Sequence, residues 1–111
     1  MPRQSIFDMP FSKIYPLLVQ KAQRKGRTRE EVNTVIAWLT GYDPTAADLD
    51  VPCRDFFGNA PAWHPRAESI TGKVCGVRVE TIDDPLMKRI RQLDKLVDEL
   101  AQGKPLEKVL R

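Results

Sequence analysis

Residues 83–105, "DDPLMKRIRQLDKLVDELAQGKP", constrain this chain more than any other stretch. Asp84 is placed to accept hydrogen bonds from the free backbone N–H groups of a helix start, and Pro85 suits the first helical position because it has no N–H to leave unpaired. Leu86, Ile90, Leu93, Val97 and Leu100 then recur on one face. From Ile90 the steps are 3, 4 and 3, a heptad-like seam, until Gly103 ends the run. A helix with so continuous an apolar stripe needs a cover, either from its own chain or from a second copy. Pro105 opens a final short helix carrying Leu106, Val109 and Leu110.

The rest of the chain supplies short covering pieces. Proline and glycine interrupt it about every 10–20 residues. Residues 13–25 read as a helix capped by Ser12, with Ile14, Leu17, Leu18 and Ala22 on one face and Gly26 after it. Pro16 fits that helix only in its first turn. Residues 29–40 read as a second helix: Thr28 and Glu31 form a capping box, Val32, Val35, Ile36 and Leu39 keep helical spacing, and Gly41 stops it. Asp43-Pro44 is expected to start one or two helical turns reaching about Leu49. A short helix is expected from Asp50 through Phe57, with Phe56 and Phe57 as core anchors. Residues 59–68 read as a loop.

Residues 70–79, "ITGKVCGVRV", are ambiguous. The β-branched residues favour a strand, but no second strand-like run offers a partner, and a strand must pair its backbone groups. On a helix, Ile70, Val74 and Val77 share one stripe, while Gly72, Cys75, Gly76 and Val79 lie opposite as a close-contact face. The helix is preferred. The expectation is a mainly α, single-domain bundle of five or six helices over residues 1–111, with an α+β arrangement, residues 70–80 being a strand, as the alternative.

Length and composition fit one domain with one core: 111 residues, 41% apolar and 30% charged. No stretch approaches the roughly 20 apolar residues of a membrane span, and the first ten residues lack the apolar core of a signal peptide. A cytoplasmic protein without membrane partners is expected. Two cysteines, Cys53 and Cys75, are too few for a disulfide-held secreted domain and read as reduced thiols. Charge is segmented. Residues 1–42 carry seven basic and three acidic residues, 43–84 four and eight, and 85–111 seven and four. Mutual attraction of these parts explains that pattern better than one continuous basic face does.

Each candidate for chemistry has a plainer reading beside it. His64 with Cys53 or Cys75 would supply the residue types of a nucleophile–base pair, and a cysteine-dependent enzyme around Cys75 is one alternative; no orienting partner or oxyanion site accompanies them. The cysteine and histidine spacings match no zinc pattern, and Gly72-Lys73…Gly76 is not a phosphate loop. No cofactor or metal is expected. Lys21, Arg24, Lys25, Arg27 and Arg29 form a dense basic run that suits phosphate contacts, which makes nucleic-acid binding a second alternative. Glu30 and Glu31 oppose it, and charges of these signs are ordinary at helix ends. Trp38, Tyr42, Trp63, His64, Gly72, Cys75 and Gly76 are candidates for a pocket or interface. Asp83 and Asp84 suggest an acidic pair, but capping accounts for Asp84.

The segments "YPLLVQKAQRKGRTREEVNTVIAWLTGYD", "FFGNAP" and "ITGKVCGVRVETIDDPLMKRIRQLDKLVDELAQGKPLEKVLR" together resemble, in order, a prokaryotic family known as domain of unknown function 2200. That resemblance implies a small, mainly helical protein with no assigned activity. It also implies an Asn-Pro-Asn-like loop where this chain has His64-Pro65-Arg66, so it lends His64 no role. The favoured expectation is a non-enzymatic module that binds a protein partner or itself, as a homodimer.

Overall fold

The computed structural model describes residues 8–46, 48–74 and 76–110. Among them five α-helices carry the fold: α1 Phe11–Gln23, α2 Arg29–Thr40, α3 Cys53–Gly58, α4 Pro85–Ala101 and α5 Leu106–Val109. The mainly helical expectation holds. As the sequence indicates, α4 is the spine: α1, α2, α3, α5 and the segment at 73–81 all pack on it. Asp84 Oδ1 accepts from the N–H groups of Leu86 and Met87, and Pro85 takes the first helical position. The buried face is wider than the seam alone. Leu96 is fully buried beside Leu93, Val97 and Leu100, and so is the polar Gln92, whose side-chain amide donates to the Ala67 carbonyl at 3.1 Å. The seam is intramolecular core.

α2 matches its reading residue for residue. Thr28 and Glu31 form the capping box, and Val32, Val35, Ile36 and Leu39 are fully buried. Its C-terminus ends at Gly41, with φ +83°. There the loop before His64 closes over the helix end. Ala62 N–H donates to the Thr40 carbonyl at 3.1 Å, and His64 N–H to the Leu39 carbonyl at 2.9 Å. Both are carbonyls the helix cannot pair internally.

α1 starts two residues before the expected position, and Ser12 is not its cap. Its first N–H groups are satisfied from afar: Phe11 donates to the Val51 carbonyl and Ser12 to that of Leu49, at 2.8 and 2.7 Å. In return Cys53 N–H, at the start of α3, donates to the Met9 carbonyl at 2.8 Å. A side-chain cap is unnecessary where a neighbouring backbone supplies acceptors. The earlier start draws Phe11 into the core, where it stacks on Phe56 at 3.9 Å between centroids and meets Phe57 edge-on at 5.7 Å. Pro16 lies inside the helix and beyond its first turn, on the solvent side, contrary to expectation.

Two further expectations are corrected. Asp43-Pro44 starts a single turn over residues 44–46 rather than a helix. Asp43 Oδ1 accepts from both the N–H and the hydroxyl of Thr45, so the side chain ties the backbone into a turn and holds its own carboxyl below the usual range. Within the expected 59–68 loop, Pro65–Ser69 form a 3₁₀ helix. His64 caps it, its Nδ1 accepting from Arg66 N–H at 3.0 Å.

The preferred helix over 70–79 is absent. Residues 73–78 form a small antiparallel hairpin, β1 Lys73–Val74 and β2 Val77–Arg78, followed by a 3₁₀ turn at Val79–Thr81. The missing strand partner is the segment itself. Only positions 75 and 76 separate the strands, and Gly76, at φ +80°, takes the conformation a two-residue hairpin connection demands. Val79 N–H donates to the Gly72 carbonyl at 2.9 Å, and Ile70 and Val79 anchor the hairpin in the core. Gly72 N–H donates to Glu80 Oε2, which holds that carboxyl below its ordinary range. So small a ladder leaves the helical bundle intact.

Gly41 is constrained twice, since a Cβ there would stand 2.8 Å from that of Ala62, whereas Gly26, at φ +81°, faces open space. Gly41→Ala is expected to destabilise the protein by at least about 2 kcal/mol, and Gly26→Ala by about 1 kcal/mol, in urea denaturation. Thr28→Ala is expected to cost about 1 kcal/mol in the same measurement.

Candidate functional site

The feature most like a binding site is an apolar cleft between α1 and α4. Ile14, Leu17 and Leu18 form one wall, Ile90 and Leu93 the other, and Phe57 of α3 contributes to the lining. Its volume is about 180 Å³. Leu18 points inward and is buried, whereas Leu17 is 58% exposed, a large hydrophobic side chain left at the edge. Arg91 and Asp94 complete the lining, with Arg91 Nη1 3.6 Å from Asp94 Oδ2. The other carboxylate oxygen of Asp94 takes Lys21 Nζ at 3.1 Å, and Asp98 lies 3.3 Å from the same ammonium. Burial works against the Lys21 charge, but these two carboxylates outweigh it and raise its pKa. The ion pairs clamp α1 to α4 just beyond the cleft.

The sequence pattern alone places Leu17 in the buried stripe of α1 and singles out neither Arg91 nor Asp94. A signal is nonetheless present. Leu17, Leu18 and Val19 are consecutive, and at about 100° per residue they span far more of the helix than one buried face of about 100° can hold. One of the three has to look outward.

The basic run divides. Lys21 is committed to Asp94 and Asp98, and Arg27 to Glu31 at 2.5 Å. Arg24, Lys25 and Arg29 are exposed.

The aromatic candidates gather around the end of α2, each partly buried. Trp38 stacks on His64 at 3.9 Å, Tyr42 on Phe56 at 4.4 Å, and Trp63 meets Phe57 edge-on at 6.3 Å. Arg89 lies over the Trp63 ring at 4.6 Å while donating to the Phe57 carbonyl at 2.7 Å. Burial raises the Tyr42 phenol. These rings close the core over the helix end.

Gly72 and Gly76 stand apart from them, in and beside the hairpin. They do not form the helical contact face expected of them. Gly72 faces the Lys95 side chain, and nothing lies where a Cβ of Gly76 would be. Cys75 lies outside the described residues. Among the described residues no cluster of three metal-binding side chains occurs, and no helix is long and apolar enough to cross a membrane.

Cys53 is fully buried at the start of α3, and burial pushes its thiol from 9.0 up to about 11. Native protein is therefore expected to leave Cys53 unlabelled by iodoacetamide at pH 8, with rapid labelling in urea, as read by peptide mass spectrometry. The folded state holds the proton more tightly than the unfolded one. This group's contribution to stability is thus complete below pH 9 and is lost as pH rises toward 11.

The crystal structure of uncharacterized protein SP1917 is similar to this fold, with a TM-score of 0.89 and 50% sequence identity over 98% of this chain and 93% of that one. No curated protein matches. The family model described as an uncharacterized protein conserved in bacteria, DUF2200, matches residues 5–111. The chain belongs to that family.

Proposed function

We propose that this protein is a protein-interaction module and that it docks its partner through the cleft between α1 and α4. The observation that supports this reading is Leu17, 58% exposed at the edge of an apolar recess whose other leucines are buried. Full burial of a leucine side chain is worth about 1.5–3 kcal/mol, and a partner seated here gains most of that. The lining offers apolar surface and one ion pair, which is the chemistry of contact rather than of bond-breaking.

A photo-crosslinking residue at position 17 tests the reading, with the same residue at exposed position 107 on α5 as control. Discrete adducts are expected from position 17 and not from 107 in intact cells. The same pattern from both positions would overturn the proposal. Leu17→Glu is expected to lower folding stability by only about 1 kcal/mol, because more than half of the side chain is already in water. Thermal unfolding checks that figure and separates lost docking from lost folding.

A further inference from the structure

We infer that the occupant of the α1–α4 cleft is a second copy of this chain, related by a two-fold axis. The inference rests on the reading of that cleft as a docking site. A two-fold interface uses the same patch on both copies, so the patch must complement itself. This one does so in shape and in charge. It carries a projecting apolar side chain, Leu17, directly beside an apolar recess. Two copies facing one another place each Leu17 in the other's recess. The recess, at about 180 Å³, has room for it; an apolar cavity of about 150 Å³ holds benzene.

The same patch carries one cation and one carboxylate, Arg91 and Asp94, one turn apart on α4. An antiparallel approach sets Arg91 against the partner's Asp94, and repeats that contact on the other side of the axis. The internal pair at 3.6 Å is long, and a guanidinium has five N–H donors, so Arg91 can keep its own carboxylate while reaching a second. A partner surface of one sign would meet a like charge at either Arg91 or Asp94. A second copy does not.

The paired face is two helices wide and, along α1, about 20 Å long. That is modest beside the roughly 800 Å² per partner of a standard stable interface, so the dimer dissociates on dilution.

Sedimentation velocity of the full chain over a hundredfold range of concentration tests the proposal. The average mass is expected to rise toward twice that of the chain. Leu17→Glu is expected to weaken association by at least about tenfold while the chain stays folded, with a small shift in thermal unfolding. Arg91→Asp is expected to weaken self-association, because it then meets Asp94 across the axis, while the Lys21 clamp on Asp94 is left in place. A wild-type chain that stays monomeric throughout, or a dimer indifferent to Leu17→Glu or to Arg91→Asp, would each overturn the second-copy assignment. Monomeric protein that still gives adducts from position 17 to a different protein would overturn this inference alone and leave the docking reading standing. Loss of adducts at position 17 would overturn the docking reading itself.

Discussion

Burial of α4 is the constraint on which the other elements depend. None of the remaining helices is long enough to be stable by itself, since isolated helices shorter than about 12–15 residues are marginal in water. Each gains its stability by laying an apolar face on the same 17-residue helix. Even a polar residue of that helix takes part, because Gln92, buried in the core, donates to the carbonyl of the equally buried Ala67. Without α4 the short helices would have no common surface, and the cleft would have only one wall.

The parts of the fold legible in the sequence are those whose instructions lie within a few residues of one another. Thr28 and Glu31 cap α2 because a capping box is a local exchange of hydrogen bonds, and Asp84-Pro85 marks the start of α4 for the same reason. What is illegible depends on distant backbone. Ser12 looks like a cap, yet it lies inside the helix, whose first N–H groups, those of Phe11 and Ser12, bond to the carbonyls of Val51 and Leu49. The hairpin at 73–78 is a different case. Its information is local, but it lies in the turn rather than in the strands. Gly76 takes the left-handed conformation that lets so short a segment pair with itself, while a search for a separate partner strand leads away from it.

The candidate site is legible only in part. The aromatic and histidine residues that stand out in the sequence do assemble, but as a lid over the α2 terminus, with Trp38 on His64 and Tyr42 on Phe56. The residues that shape the cleft look ordinary in the sequence: a leucine in an apolar stripe, and an arginine and an aspartate on a charged helix. They become distinctive only when the angle between α1 and α4 leaves Leu17 over a recess. Phe11 and Phe57, which pack α1 against α3, and the Lys21 clamp between α1 and α4 hold the walls of that recess, and all of them require the tertiary structure.

The exchange of backbone bonds between the starts of α1 and α3 has an evolutionary consequence. Three main-chain amides at positions 11, 12 and 53 bond to three main-chain carbonyls at 51, 49 and 9 across the two helix starts, beside the side-chain contacts of Ser12 with Asp50 and Phe11 with Phe56. The backbone bonds of that joint are blind to side-chain identity. Substitutions at the residues around it leave these bonds in place, and the one replacement the bonds themselves forbid at each donor is proline, whose ring nitrogen has no hydrogen to give.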